Sequence, residues 1–212
     1  MGEEDADVVY SARSNGLYVK DVGEPAVTSS KQFKFNISEP QPQWGGPDDD
    51  SLHLVLVEPE IPGNTGNIGR LCVGANIWLH LVEPLGFDLD NRYLKRAGLD
   101  YWTHVRLCVH EDFSKIEELF PRERLHFFTK KTRRPYTQAN WQPGSVLVFG
   151  RETKGLSDAI RRRYADKTYR IPVSDKVRSL NLSNSCAIAL YHAMSQIDWK
   201  PLAGAESEDQ PT

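Results

Sequence analysis

Between Leu52 and Pro172, short apolar runs of strand length recur and alternate with segments of helical character. "LHLVLV" (52–57), "IWLHLV" (77–82), "HVRLCV" (104–109), "LHFFT" (125–129), "VLVFG" (146–150) and "TYRIP" (168–172) are rich in β-branched and aromatic residues, as buried strands are. Helix candidates lie near 66–76, 90–98, 112–120, 156–164 and 183–197. Strand followed by helix, repeated, predicts an α/β fold: a mostly parallel sheet with helices on both faces. In such a sheet ligands bind beyond the carboxyl ends of the strands, so the residues after each strand carry the functional question.

The pattern lapses at both ends. Residues 1–51 show neither period and collect Gly, Pro, Ser and Asp; they predict a polar, largely flexible extension with one short strand at "KQFKFNI" (31–37). Residues 204–212 predict a frayed acidic tail, which leaves 52–203 as the folded domain. This division changes the charge. The whole chain of 212 residues has 26 basic and 29 acidic side chains, net −3, but residues 52–203 hold 22 and 16, net +6. A basic body permits a polyanionic partner such as RNA.

Other classes lose ground on composition. No run approaches the ~18 apolar residues of a membrane span, so no membrane partner is expected. The acidic start "MGEEDADVVY" lacks the features of a secretory or organelle leader, which favours a cytoplasmic site and leaves an organelle open. Cys72, Cys108 and Cys186 are far apart in apolar settings and predict reduced core thiols. His53, His80, His104, His110, His126 and His192 have no metal-ligand spacing; they are expected to be structural, and no metal is expected.

Three strand-end loops carry more chemistry than a turn requires. "EPEIPGNTGNIGRLC" (58–72) is broken by Pro59, Pro62 and Gly63, and Asn64 or Thr65 is placed to cap a helix starting near Gly66. An ordinary capped connection explains everything there but Arg70, which sits among Ile68, Leu71 and Cys72 and needs either a route to solvent or an anion. "LVFGRETKGLSD" (147–158) sets Glu152 between Gly150 and Gly155, either as a glycine turn leading a helix or as a site of close backbone approach. It matches neither GxGxxG nor GxxxxGK[ST], so a nicotinamide or ATP cofactor loses support. "RSLNLSNSCAIALY" (178–191) crowds Ser179, Asn181, Ser183, Asn184 and Ser185 where one cap suffices. Ser183 or Asn184 takes that role, and the surplus predicts a polar pocket for a small ligand.

In order along the chain, "PEIPGNTGNIGRLC", "LVFGRETKGL" and "IPVSDKVRSLNLSNS" resemble the three motifs of the SPOUT class (SpoU/TrmH superfamily) of RNA methyltransferases. "RAGLDYW" (96–102) is similar to its TrmL-type branch, the tRNA wobble-nucleotide 2′-O-methyltransferases. The resemblance spans 52–198 and leaves the first 51 residues outside. It implies a C-terminal deep trefoil knot, S-adenosylmethionine as methyl donor, tRNA rather than DNA as partner, and a homodimer with each site completed across the interface. The helix at 183–197, apolar on more than one face, agrees with burial against both sheet and twin subunit.

The resemblance also implies residue roles. Phe128, Thr129, Gly150, Ile171, Ser179 and Leu180 would hold the cofactor. Arg70 would anchor the target phosphate and assist deprotonation of the 2′-OH, chiefly through that phosphate, because a guanidinium is a poor base. Asn64 would position the ribose or Arg70, Glu152 would fix its loop through backbone or Asn hydrogen bonds, and Asn181 would touch cofactor and active-site loop. The implied product is the 2′-O-methylated cytidine or uridine 34 of tRNA; the alternatives are rRNA or another tRNA position, and a non-catalytic RNA-binding or assembly factor. The intact set Asn64, Arg70, Glu152 and Asn181 argues against the last.

Charge alone nominates further RNA contacts. Of "KKTRRPY" (130–136), "RRR" (161–163) and "KRAG" (95–98), the first follows a pocket-forming strand, which favours Lys130, Lys131, Arg133 and Arg134. Arg161–Arg163 read as a solvated helix face, and Tyr101 and Trp102 as packing residues.

Overall fold

The computed structural model describes residues 50–88 and 100–197, together with two short antiparallel strands, β1 (Tyr10–Ala12) and β2 (Tyr18–Lys20). These two strands add to the single one expected before residue 51. The strand expected at 31–37, the helix at 90–98 with its basic "KRAG", and the tail at 204–212 lie outside the described residues.

The body alternates as anticipated. Its elements are β3 (His53–Val57), α1 (Pro62–Ala75), β4 (Trp78–Val82), β5 (Arg106–His110), α2 (Phe113–Leu119), β6 (Leu125–Phe128), β7 (Val146–Phe149), α3 (Asp158–Arg163), β8 (Thr168–Tyr169) and α4 (Leu182–Gln196). Six strands form one sheet in the order β5-β4-β3-β7-β6-β8, every neighbouring pair parallel. Because side chains alternate along a strand, each strand feeds two cores. Leu54, Leu56, Leu79, Leu81, Leu147 and Phe149 meet α1 and α4 through Ile68, Cys72, Cys186, Ala189, Leu190 and Ala193. Val55, Val57, Val82, Phe127, Val146 and Val148 meet Ile116 of α2 and the residues bracketing α3, Leu156 and Tyr164. All three cysteines are free and buried, and desolvation pushes the Cys108 thiol up to about 12.

Element boundaries moved where a cap or a site intervened. α1 begins four residues before Gly66, with Pro62 in its first turn and Ile61 as an N-cap that offers no side-chain hydrogen bond. Asn64 and Thr65, expected as caps, lie inside the helix and are buried. α4 is capped by Asn181, whose side chain accepts from the Ser183 N–H, rather than by Ser183 or Asn184. β5 starts at Arg106 because residues 100–104 coil into a 3₁₀ turn; Trp102 in that turn packs into the α1 core and Tyr101 donates to the Gly66 carbonyl at 2.9 Å. β8 ends at Tyr169; Arg170 continues only as a single parallel bridge to Pro135, and Ile171 lies beyond it.

Three histidines turn out to be a single structure. His53 Nδ1 lies 3.0 Å from His80 Nε2, and His80 Nδ1 lies 2.9 Å from His110 Nε2, a diagonal hydrogen-bonded row across three adjacent strands with Phe120 against its first two rings. Each ring passes on a hydrogen bond only if it is neutral and holds a single proton. Burial holds His80 well below its usual value and lowers His110 to about 4. Above pH 6.5 neither folded nor unfolded His110 is charged; between 6.5 and about 4 only the unfolded chain takes up the proton. Acid therefore favours unfolding in that window, by about 3 kcal/mol for His110 alone at its lower end. Urea midpoints measured from pH 7.5 to 4.5 are expected to fall, and to fall less steeply in His110→Gln; equal slopes would refute this account.

Candidate active site

The strand order turns back on itself between β3 and β7, since β4 and β5 extend the sheet on one side and β6 and β8 on the other. Loops leaving two such strands diverge and open a crevice at their carboxyl ends. Here the loop after β3 (Glu58–Ile61) and the loop after β7 (Gly150–Ser157) are bound to each other by polar groups at alternate positions. Arg151 pairs with Glu58. Glu152 accepts hydrogen bonds from the Glu60 N–H at 2.8 Å, the Ile61 N–H at 3.3 Å and Asn64 Nδ2 at 3.0 Å. In return the Glu60 carboxylate accepts from the Thr153 N–H at 3.0 Å and from Thr153 Oγ1 at 2.7 Å.

Glycine is required twice in this clasp. A Cβ on Gly150 would stand 2.3 Å from the carbonyl carbon of Gly155 and from the nitrogen of Leu156, both backbone atoms that cannot swing aside. Gly155 has φ +68°, and its N–H closes the turn onto the Arg151 carbonyl at 2.8 Å.

A relay extends from Glu152 into the third loop. Asn64 spends its Nδ2 on Glu152, which leaves Oδ1 to accept from Asn181 Nδ2 at 3.0 Å. Asn181 Oδ1 then accepts from the Ser183 N–H at 2.8 Å and Ser183 Oγ at 2.6 Å, which starts α4. One carboxylate thus aligns the beginnings of two helices.

Over this relay lies a pocket of about 230 Å³. Its walls include Phe128, Thr129, Gly150, Ile171, Ser179 and Leu180, with Asn64, Glu152, Asn181 and the two lysines Lys130 and Lys131. Apolar side chains beside hydroxyls and a glycine backbone suit an adenosine group, which needs a flat apolar slot and a few fixed hydrogen-bonding groups. Sequence reading missed four cations on the same walls: Arg151, Lys154, Arg170 and Arg178. Arg170 Nε is buried with no hydrogen-bond partner among the described residues. Complementary alternation in "EPE" and "RET" was the available signal for the clasp; nothing local marked Arg170.

Three residues stand apart from the pocket. Arg70 is exposed, with its guanidinium 4.6 Å from the centre of the Tyr101 ring, so its apolar neighbourhood leaves it a route to solvent. It lies six residues beyond Asn64, about 9 Å further along the axis and on another face of α1. Arg133 is exposed and off the pocket. Arg134 donates to the Asp166 carbonyl and lies over the Tyr169 ring, which engages it within the fold. Among the described residues no cluster of His, Cys, Asp and Glu could hold a metal ion, and no helix is long and apolar enough to cross a membrane.

Residues 51–191 match the model of the SpoU rRNA Methylase family. The chain belongs to this family. A tRNA (cytidine(34)-2'-O)-methyltransferase of Methylovorus glucosotrophus (strain SIP3-4) is 44% identical over 147 residues, which span 69% of this chain and 96% of that protein. A solved structure described as giving insights into the 2-OH methylation of C/U34 on tRNA is 41% identical, with a TM-score of 0.63 over 71% of this chain and 97% of its own. The more distant SpoU methyltransferase AviRb of Streptomyces viridochromogenes, solved in complex with AdoMet, is 22% identical with a TM-score of 0.61 over 70% of this chain and 58% of its own, a likeness of fold.

In this SpoU family member the relay predicts energetic coupling between residues that do not touch. Glu152→Ala should lower stability by about 2 kcal/mol. In a double-mutant cycle, Glu152→Ala and Asn181→Ala should couple by about 1 kcal/mol through Asn64, measured by urea unfolding. Strict additivity would show that the two ends act independently.

Proposed function

We propose that the chain transfers a methyl group from S-adenosylmethionine to the ribose 2′-OH of the wobble nucleotide of tRNA. The observation that carries the reading is the pocket itself, where the relay Glu152–Asn64–Asn181 underlies a slot of adenosine character at the crevice of a SpoU fold. The named substrates of the relatives choose tRNA position 34 over the ribosomal RNA of the family's description. S-adenosylmethionine, when bound, supplies a methyl group already activated by its sulfonium.

The work left to the protein is binding and alignment. Phe128, Gly150, Ile171 and Leu180 would enclose the nucleoside, with Thr129 and Ser179 supplying hydroxyls. The alignment of a ribose oxygen depends on loops held to a fraction of an ångström, which the clasp provides. We assign the chain a C-terminal knot in which the loop carrying Ser179–Asn181 is threaded, as the SPOUT class implies.

Arg70 does not reach the pocket of its own chain, and α1 and α4 pack side by side against one sheet face. α4 leaves Ile188 and Tyr191 exposed, at 37% and 50%. A homodimer formed over these helices would cover both side chains and carry Arg70 to the partner's pocket, where it anchors the phosphate of the target nucleotide.

Three experiments test this reading. Nucleoside mass spectrometry of tRNA from cells lacking the protein should show loss of 2′-O-methylation at position 34; an unchanged profile would remove the substrate assignment. Arg70→Ala should keep S-adenosylmethionine affinity in calorimetry while losing about 100-fold or more in kcat. Mixing Arg70→Ala subunits with Glu152→Ala subunits should restore up to about one quarter of wild-type activity, because each mixed dimer then holds one complete site. No recovery would place Arg70 in its own subunit's site.

A further inference from the structure

Beside the cofactor pocket lies a second concavity, of about 530 Å³, at the carboxyl end of β3 and along the loop that leads to α3. The two share Lys130, Lys131, Arg151, Thr153, Lys154 and Gly155, so those residues form a common wall. The floor is apolar, from Val57 and Leu156, and the rim is charged.

Not all of the rim charge is available to a ligand. Arg151 and Glu58 neutralise each other. Asp158 is engaged by Arg161 and lies 3.8 Å from Lys131 Nζ, and these contacts hold its carboxyl below the usual range. Lys130 and Lys154 take part in no ion pair among the described residues, and Lys154 is exposed. The concavity therefore presents net positive charge.

Lys154 is also held in place more firmly than an ordinary loop lysine. The residue before it is bound by Glu60 through both backbone and hydroxyl, and the residue after it closes the turn onto Arg151. A lysine on a fixed backbone loses less freedom when it meets an anion, so more of the contact appears as binding.

We propose that this groove binds the sugar-phosphate backbone of the RNA next to the target nucleotide, with Lys154 and Lys130 meeting its phosphates. The inference rests on the RNA-methyltransferase reading and deepens it by naming where the flanking phosphates lie. An apolar floor with a lysine rim suits a ribose-phosphate stretch, whose charges lie at its edges.

The test uses the full-length protein and an unmodified transcript of a tRNA substrate, with binding followed by fluorescence anisotropy from 50 to 300 mM salt. Lys154→Ala should weaken RNA binding about fivefold and flatten the slope of log K against log salt by about one. Lys154→Arg should restore both, and Lys154→Glu should weaken binding further. In turnover assays Lys154→Ala should raise KM for the transcript by a larger factor than it changes kcat or S-adenosylmethionine affinity. A wild-type salt slope in Lys154→Ala would overturn the groove; so would a loss of S-adenosylmethionine affinity in proportion to the loss of RNA affinity, since that marks a damaged loop. If the wild type binds the transcript without methylating any tRNA, the functional reading fails while the groove stands or falls on the salt slopes. If it binds no RNA, both fail.

Discussion

The carboxylate of Glu152 is the interaction on which the site depends. α1 begins without a side-chain cap of its own, and its N-terminus, the positive end of a helix dipole, favours an anionic acceptor. Glu152 supplies that acceptor from the loop after β7, some 90 residues away in the chain, by taking the Glu60 and Ile61 N–H groups and the Asn64 amide together. A helix cap has been made into a tertiary clasp. With that acceptor removed, the N–H groups at the start of α1 would be left to solvent, and Asn64 would lose the contact that orients its oxygen toward Asn181.

That arrangement also explains what could be read from the chain and what could not. The six strands, their parallel order and the buried thiols follow from apolar runs of strand length alternating with helical segments, a local signal that tertiary structure reinforces. The start of α1 did not follow, because Asn64 and Thr65 look like caps when the true cap comes from another loop. In the same way Asn181 looked like one polar residue among many, yet its two ends do different jobs, one capping α4 and the other closing the relay. Motif order brought Asn64, Glu152 and Asn181 together on paper, and the hydrogen bonds give the physical reason why those three positions belong to one another. The histidine row was invisible for a related reason. His53, His80 and His110 are spaced by whole strand-helix units and meet only through a diagonal offset across the sheet.

The pocket divides its labour between backbone and charge. Residues that would enclose the cofactor are glycine, small hydroxyl-bearing or apolar residues, while the cations Lys130, Lys131, Lys154, Arg170 and Arg178 line the same pocket. Cations in such number would repel a sulfonium cofactor if nothing offset them, so they suit a pocket that also receives an anion. These cations belong to the basic body of a nominally acidic chain.

α1 faces two directions, and this limits how the enzyme can be assembled. Asn64 looks into the pocket and is buried, whereas Arg70 lies on another face, exposed and stacked on Tyr101. No rotation of a rigid helix can bring both to one pocket, since turning α1 enough to point Arg70 inward would withdraw Asn64 from Glu152 and expose Ile68 and Cys72, which are fully buried. If Arg70 takes part in the reaction, it must therefore act on a site other than the one its own Asn64 supports. The two-fold axis alongside α1 and α4 proposed above would solve the problem with one surface, because the arginine that each subunit gives away would be replaced by its twin's. Tyr101 then does more than pack: its hydroxyl is bound to the Gly66 carbonyl of α1, so the ring that meets the Arg70 guanidinium is itself tied to the helix that carries the arginine.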